Sequence, residues 1–150
     1  MPKWKPDEKD ISIIKCLKED CKQPIESIGK KTGIPPTTVH NRIKKMEKEK
    51  VILNSTVNVD LKKLGKAVTA FVGVKINYNV MAKKIKQDEV AKEIKKIDGI
   101  EYVAVITGDT DIMAKAVAKD TEELNTIITK KLRNIDGVDK TQTMIVLEQI

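Results

Sequence analysis

The stretch Thr32-Gly33-Ile34-Pro35-Pro36-Thr37-Thr38-Val39-His40-Asn41-Arg42-Ile43-Lys44-Lys45-Met46 reads as a tight turn feeding a basic amphipathic helix. Gly33 supplies a positive φ where the chain must reverse. Pro-Pro then opens a helix, with a ring at its first turn. Val39, Ile43 and Met46 recur at i, i+4 and i+7, which makes them the buried stripe. Thr37, Thr38, His40, Asn41, Lys44, Lys45 and Lys48 are left on the other faces.

Two shorter helical patterns precede this stretch. Asp7 is placed to cap a helix over about 8–19, with Asp10 three residues on. Ile11, Ile14 and Leu17 give that helix its core-facing stripe, and Cys16 packs as a small apolar residue. Pro24 opens a second helix with Ile25, Ile28 and Gly29 on its apolar face. Three short helices with a Gly turn before the third make a helix-turn-helix, although a plain three-helix bundle with a polar outer face has the same pattern.

Charge bears on the two readings. Residues 1–54 carry 13 basic and 8 acidic side chains, and residues 55–150 carry 16 and 14. Within residues 30–50 the count is 7 against 2. Such a block suits a polyanion, nucleic acid first and membrane surface second; the alternative is a solvated lysine-rich surface. On a groove-reading helix, Pro36, Thr37, Thr38, His40 and Asn41 are the N-terminal candidates for base edges. Arg42, Lys44 and Lys45 are the candidates for phosphates. Arg42 also sits beside the core stripe, where a salt bridge between helices is the competing role.

Past Val51 the period changes. Residues 51–60 read as an extended linker or strand. Val68, Ala70, Val72, Val74 and Ile76 then alternate with Thr69, Phe71, Gly73 and Lys75, as in a half-buried strand. Residues 82–97 hold an amphipathic helix that starts around Lys86-Gln87-Asp88, residues 100–106 form a central strand apolar on both faces, and residues 112–118 another strand. Asp120 with Glu123 caps a second helix carrying Leu124, Ile127, Ile128 and Leu132. Residues 138–147 close the domain as a strand. Ile97-Asp98-Gly99-Ile100 recurs as Ile135-Asp136-Gly137-Val138, each copy ending a helix on Gly and entering a strand. The fold class is therefore α+β: an N-terminal helix-turn-helix domain, an extended linker and a C-terminal ferredoxin-like βαββαβ domain. A sheet with both helices on one face leaves the other open. That face reads as largely apolar, so it predicts an oligomer.

Other chemistries find little support. Aromatic residues are 3% of the chain, too few for stacking platforms. Cys16 and Cys21 do not form a zinc half-site, and His40 is the single histidine, so neither a metal set, a cofactor site nor a catalytic constellation is expected. No apolar run approaches the ~20 residues of a membrane span. Met1-Pro2-Lys3-Trp4-Lys5 has no apolar run behind it, so a signal peptide is not expected and the location is cytoplasmic.

Several short motifs stand in order along the chain: Asp7-x-x-Asp10 with Ile14, Gly33-Ile34, and Val39-x-x-Arg42-Ile43-Lys44-Lys45-Met46. They continue with Leu64-Gly65, Thr107-Gly108-x-x-Asp111, and Val138 with Thr141-x-Thr143 and Met144-Ile145-Val146-Leu147. In these motifs the chain resembles the Lrp/AsnC (feast/famine) family of transcription regulators. The resemblance implies a helix-turn-helix DNA-binding domain over 1–53, a linker strand over 54–66, and an effector-binding and oligomerisation domain over 67–150. It implies double-stranded DNA as a partner, a homodimer through the C-terminal sheets, assembly into tetramers or octamers, and an amino acid as effector. It places the effector at Gly108, Asp109, Thr110 and Asp111, with Asp111 pairing an α-amino group. A bare Asp after a Gly turn could also hydrogen-bond locally. Pro35 stands where the family usually has Ser, and Lys50 where a Gly often stands, which puts a lysine at positive φ. Thr110 and Ile112 replace aromatics common around the turn. The alternative function is a small-molecule-binding α+β protein with an accessory helical bundle and no specific DNA target. A third is an RNA binder with exposed sheet aromatics, for which only Tyr102 and Phe71 are on offer.

Overall fold

The computed structural model describes residues 4–80 and 83–148. They form two compact units that part between Asn58 and Val59. No helix among the described residues is long and apolar enough to cross a membrane.

The first unit holds α1 (Glu8–Glu19), α2 (Ile25–Thr32) and α3 (Pro36–Lys48). The Asp7 carboxylate accepts from the Asp10 backbone N–H at 3.0 Å, and Asp10 returns the bond to the Asp7 N–H at 2.9 Å. This reciprocal cap satisfies two orphan donors of the first turn. Gly33 ends α2 at φ 70°, as the reversal requires. Gly29 matters for a different reason: a Cβ there would lie 2.8 Å from the Ile34 carbonyl oxygen. Its bare backbone lets α2 touch the turn into α3. Ile13, Cys16, Ile28, Ile34, Val39 and Met46 form the core, with Ile43 half-buried beside them.

Among the described residues, 53–60 pair with no strand, and residues 61–65 make a turn. The expected linker strand over 54–66 is thus replaced by irregular chain. Its polar and apolar residues find no neighbouring ladder.

The second unit holds β1 (Val68–Ile76), β2 (Asn79–Val80), β3 (Lys83–Lys84), α4 (Gln87–Lys95), β4 (Ile100–Val105), β5 (Ile112–Ala118), α5 (Thr121–Thr126) and β6 (Val138–Ile145). α5 widens into a π turn over Ile127–Lys131 and tightens into a 3₁₀ turn over Leu132–Asn134. The four long strands lie in the order β4-β5-β1-β6, every neighbouring pair antiparallel. This is the expected βαββαβ sheet with four corrections. Residues 100–105 form an edge strand, not a central one, and their outward apolar groups belong to the sheet's open face. Residues 83 and 84 pair with residues 80 and 79, a short ladder that the helical pattern over 82–97 does not show. The helix itself begins at Gln87, within the 86–88 stretch where its start is expected, and residue 82 lies outside the described residues. The last strand ends at Ile145, not Leu147.

The fourth correction is the open face. One side of β1 and β5, with Ala70, Val72, Val74, Ile112, Ala114 and Ala116, packs under Val90, Ile94, Leu124, Ile127, Ile128 and Leu132 of the helices. Three buried alanines on β5 let the helices approach closely. The other side carries Phe71, Tyr102, Met113 and Met144, but also Lys75, Lys115, Lys140 and Gln142. It is mixed rather than largely apolar. Lys115 is partly neutralised by Glu101 at 2.8 Å.

The Ile-Asp-Gly repeat explains how the two halves interlock. Gly99 and Gly137 sit at φ 91° and 94°. A Cβ on Gly99 would lie 2.6 Å from Ile127 Cδ1, and one on Gly137 would lie 2.6 Å from Ile85 Cγ2. Each copy thus ends one helical segment and receives an isoleucine from the other half.

Candidate DNA-binding helix and effector turn

α3 is positioned by its buried stripe, with Val39 and Met46 fully enclosed. At about 100° per residue, Thr37, Asn41, Lys44 and Lys48 project as one row opposite that stripe. His40 falls on one flank of the row, and Thr38 and Lys45 on the other. Pro36, Thr37, His40, Asn41, Lys44 and Lys45 are exposed, while Thr38 is half-buried. Among the described residues neither Lys44 nor Lys48 forms an ion pair, so their ammonium groups are free for an outside anion. Lys48, which is not among the candidates named from the sequence, falls on the same row. Its signal is the i+4 spacing from Lys44.

Arg42 does not belong to that row. Its Nη1 donates to both Asp7 carboxylate oxygens at 2.8 Å and to Asp10 Oδ1 at 2.8 Å. The guanidinium is held by α1 rather than offered to phosphate, which corrects its place among the DNA contacts. Both partners feel it. The Asp7 carboxyl lies below the usual range, mainly through the Asp10 N–H and next through Arg42, and the Arg42 pKa is raised by Asp10 first and Asp7 second. Asp10 is only 1% exposed, so the pair lies at the edge of the core. Lys45 Nζ stands 4.8 Å from the centre of the Trp4 ring. Lys50 does take the left-handed conformation, at φ 59°, and the turn after α3 closes with Val51 N–H donating to the Met46 carbonyl at 2.9 Å.

In the second unit the turn over residues 108–111 joins β4 to β5. Gly108 has φ 120° and open space where a side chain would stand. Asp109 is exposed. Thr110 is half-buried and covers Gly73: a Cβ there would lie 3.1 Å from Thr110 Cγ2. Asp111 is buried; its backbone N–H donates to Val74 O on β1 at 3.0 Å, and its carbonyl accepts from the Ile106 N–H across the turn at 2.9 Å.

The Asp111 side chain is also consumed within the chain. Oδ2 accepts from the Ile76 N–H at 2.9 Å and faces Lys75 Nζ at 3.4 Å. Oδ1 accepts from the Tyr78 hydroxyl at 2.9 Å and from Gln87 Nε2 at 3.3 Å. The Ile76 N–H most of all, then Tyr78 and Lys75, hold this carboxyl below the usual range against the opposing effect of burial. Burial first and Asp111 second push the Tyr78 hydroxyl up. These bonds correct Asp111 as a free partner for an α-amino group. It ties the turn to the end of β1 and the start of α4. A groove of about 900 Å³ lies elsewhere, lined by Ile85, Glu89, Val90, Lys92 and Ile135 among others, and residues 108–111 do not line it.

Two family models cover these two sites. The AsnC-type helix-turn-helix domain matches residues 7–47, and the Lrp/AsnC ligand binding domain matches residues 69–150. The chain belongs to the Lrp/AsnC family. Lrp/AsnC proteins are transcription regulators, and this chain has their DNA-binding and ligand-binding domains. It is 39% identical over 142 residues to the HTH-type transcriptional regulator FL11 of Pyrococcus horikoshii, covering 95% of this chain and 89% of that one. The structure of LrpC from B. subtilis superposes with a TM-score of 0.80 at 26% identity, covering 98% of each chain. A transcriptional regulator of Neisseria meningitidis, solved in complex with L-Met, superposes with a TM-score of 0.85 at 21% identity, covering 97% of this chain and 92% of that one. The Lrp/AsnC assignment accounts for the order of the two units.

Proposed function

We propose that the chain reads a specific duplex site as a dimer and responds to an amino acid. The observation that carries the reading is the outward row on α3, with unpaired lysines behind small polar groups. Thr37 and Asn41, flanked by Pro36, Thr38 and His40, meet base edges, while Lys44, Lys45 and Lys48 meet phosphates. The dimer joins through the open sheet faces, where Phe71, Tyr102 and Met144 supply the apolar contact. The two recognition helices then reach successive major grooves of a near-palindromic site. Cytoplasmic location follows from that role.

The test is anisotropy of selected and scrambled duplexes across a salt series. Lys44→Ala should weaken both duplexes alike and lower the salt slope by about 0.9. Asn41→Ala should instead change which duplex is preferred, at roughly 1–3 kcal/mol for a lost bidentate contact. An unchanged slope in Lys44→Ala would remove α3 from the interface.

The effector reading rests on the exposed backbone at Gly108 and Asp109, with Thr110 beside it. Consecutive backbone N–H groups in such a turn suit a carboxylate. The meningococcal neighbour bound to L-Met supports an amino acid as the class. A ligand shared between subunits acts on DNA only by favouring one assembly over another. Asp111 is the organiser here. Asp111→Asn keeps the shape but turns two acceptor sites into donors, so it should lower C-terminal stability by about 1–2 kcal/mol and weaken any amino-acid response with it. Calorimetry against the twenty amino acids, run beside thermal melts, checks both. Loss of response in a variant as stable as wild type would return Asp111 to direct ligand contact.

A further inference from the structure

The residues before α1 lie along one flank of α3. Asp7 is held by Arg42, and Trp4 by Lys45, one turn further along the helix. The Trp4 ring also packs against the helical core. Between these anchors lie Lys5 and Pro6, both exposed. Pro6 fixes its own φ, and a residue before proline is confined to extended backbone. The segment is therefore stiff and pinned at both ends. Its charged side chain, Lys5, is carried beside the Arg42–Lys45 flank of the helix.

We propose that residues 4–7 are a second part of the duplex-binding surface, with Trp4 as the anchor and Lys5 and Lys45 on the phosphates. An ammonium over an aromatic face is attracted by the ring quadrupole without using its N–H donors on a hydrogen-bond acceptor. Lys45 is thus held in place with donors left for phosphate oxygens. A side chain ordered in advance loses less freedom when it binds. Lys5 gains in the same way, because two anchors fix its backbone. Neither residue touches bases in this arrangement. The surface should add affinity and salt dependence to every sequence and leave preference unchanged. This inference rests on α3 binding duplex DNA.

Trp4 is the single tryptophan, so its emission reports on this surface without a label. The experiment titrates the full chain with duplex DNA over a salt series, using wild type, Lys5→Gln, Trp4→Ala, Trp4→Phe and the Trp4→Ala/Lys5→Gln double variant. Wild-type emission should change on binding, saturating with the anisotropy signal. Lys5→Gln should lower the salt slope by about 0.9. Trp4→Ala should weaken all duplexes roughly three- to fivefold, and Trp4→Phe should restore most of that loss. In the Trp4→Ala background, Lys5→Gln should add little, because the unpinned lysine no longer faces phosphate. A purely structural Trp4 would lower the melting temperature and leave the two changes additive. Lys5 is exposed, so its variant tests the proposal even if Trp4→Ala fails to fold. Unmoved Trp4 emission at saturation, or a wild-type salt slope in Lys5→Gln, overturns it. A wild-type chain that binds no duplex overturns the DNA reading itself.

Discussion

Gly99→Ala should destabilise the C-terminal unit by about 3 kcal/mol, the combined effect of left-handed backbone and overpacking. At φ 91° any Cβ is strained, and the new carbon would stand 2.6 Å from Ile127 Cδ1 and 3.0 Å from the Val117 carbonyl oxygen. The isoleucine tip can turn away, but the carbonyl belongs to β5. Moving Gly99 instead would stretch the bond its own carbonyl accepts from Val117 N–H at 2.7 Å. For a unit of this size the expected fall in melting temperature is roughly 15 °C. Ile127→Val removes the offending Cδ1 at a cost of about 1 kcal/mol by itself. Combined with Gly99→Ala it should recover part of the loss, so the two changes are less than additive. Thermal melts of the four proteins in this cycle measure the coupling. Strict additivity would mean that Ile127 does not lean on Gly99 at all.

The Ile-Asp-Gly repeat shows what could be read ahead of the structure. Both copies announce a helix end, and their spacing announces a duplicated β-α-β unit. What each glycine receives is not in the pattern, because Ile127 and Ile85 come from other elements. The N-terminal helices are legible as elements because their signals are local: Asp7 three residues from Asp10, Gly33 at a reversal, Val39 and Met46 on one stripe. The expected stripe of α1 is nonetheless turned to the wrong face, since Ile13 and Cys16 are buried while Ile11 is 48% exposed. The edge position of β4 was not. Tyr102 and Ala104 look like a buried second face, but they lie on the side of the sheet that no helix covers. The pairing of residues 79 and 80 with 84 and 83 leaves no mark in the sequence, because two-residue strands carry no period. The roles of Arg42 and Asp111 were left open by the sequence for a common reason. Their partners lie 32 and 35 residues away for Arg42, and as far as 35 residues away for Asp111. A residue beside a core stripe, or after a Gly turn, does not reveal which distant carboxylate or N–H will reach it.

Arg42→Met should therefore act on folding before it acts on DNA. Methionine keeps the helix propensity and most of the stem, but it removes the charge that faces Asp10. That carboxylate is enclosed and, among the described residues, would retain only the Asp7 backbone N–H at 2.9 Å. Stranding it should destabilise the N-terminal unit by about 2–3 kcal/mol, and the melting temperature by more than 10 °C. Trp4 emission follows this unit alone. Adding Asp10→Asn should recover much of the loss, since a neutral amide tolerates enclosure better than an unpaired charge. The pH dependence has a definite sign. Asp7 has its folded pKa below the unfolded value, so its contribution is complete above the usual carboxylate range and fades as pH falls through the lowered folded value. Arg42 stays charged throughout. The gap between wild type and Arg42→Met should therefore be widest near neutrality and narrow below about pH 4. A phosphate-contacting arginine behaves differently: its loss would flatten the salt slope of DNA binding and leave melting untouched. An Arg42→Met protein with wild-type melting and a flattened slope would put Arg42 back on the DNA and leave Asp7 and Asp10 as a simple helix cap.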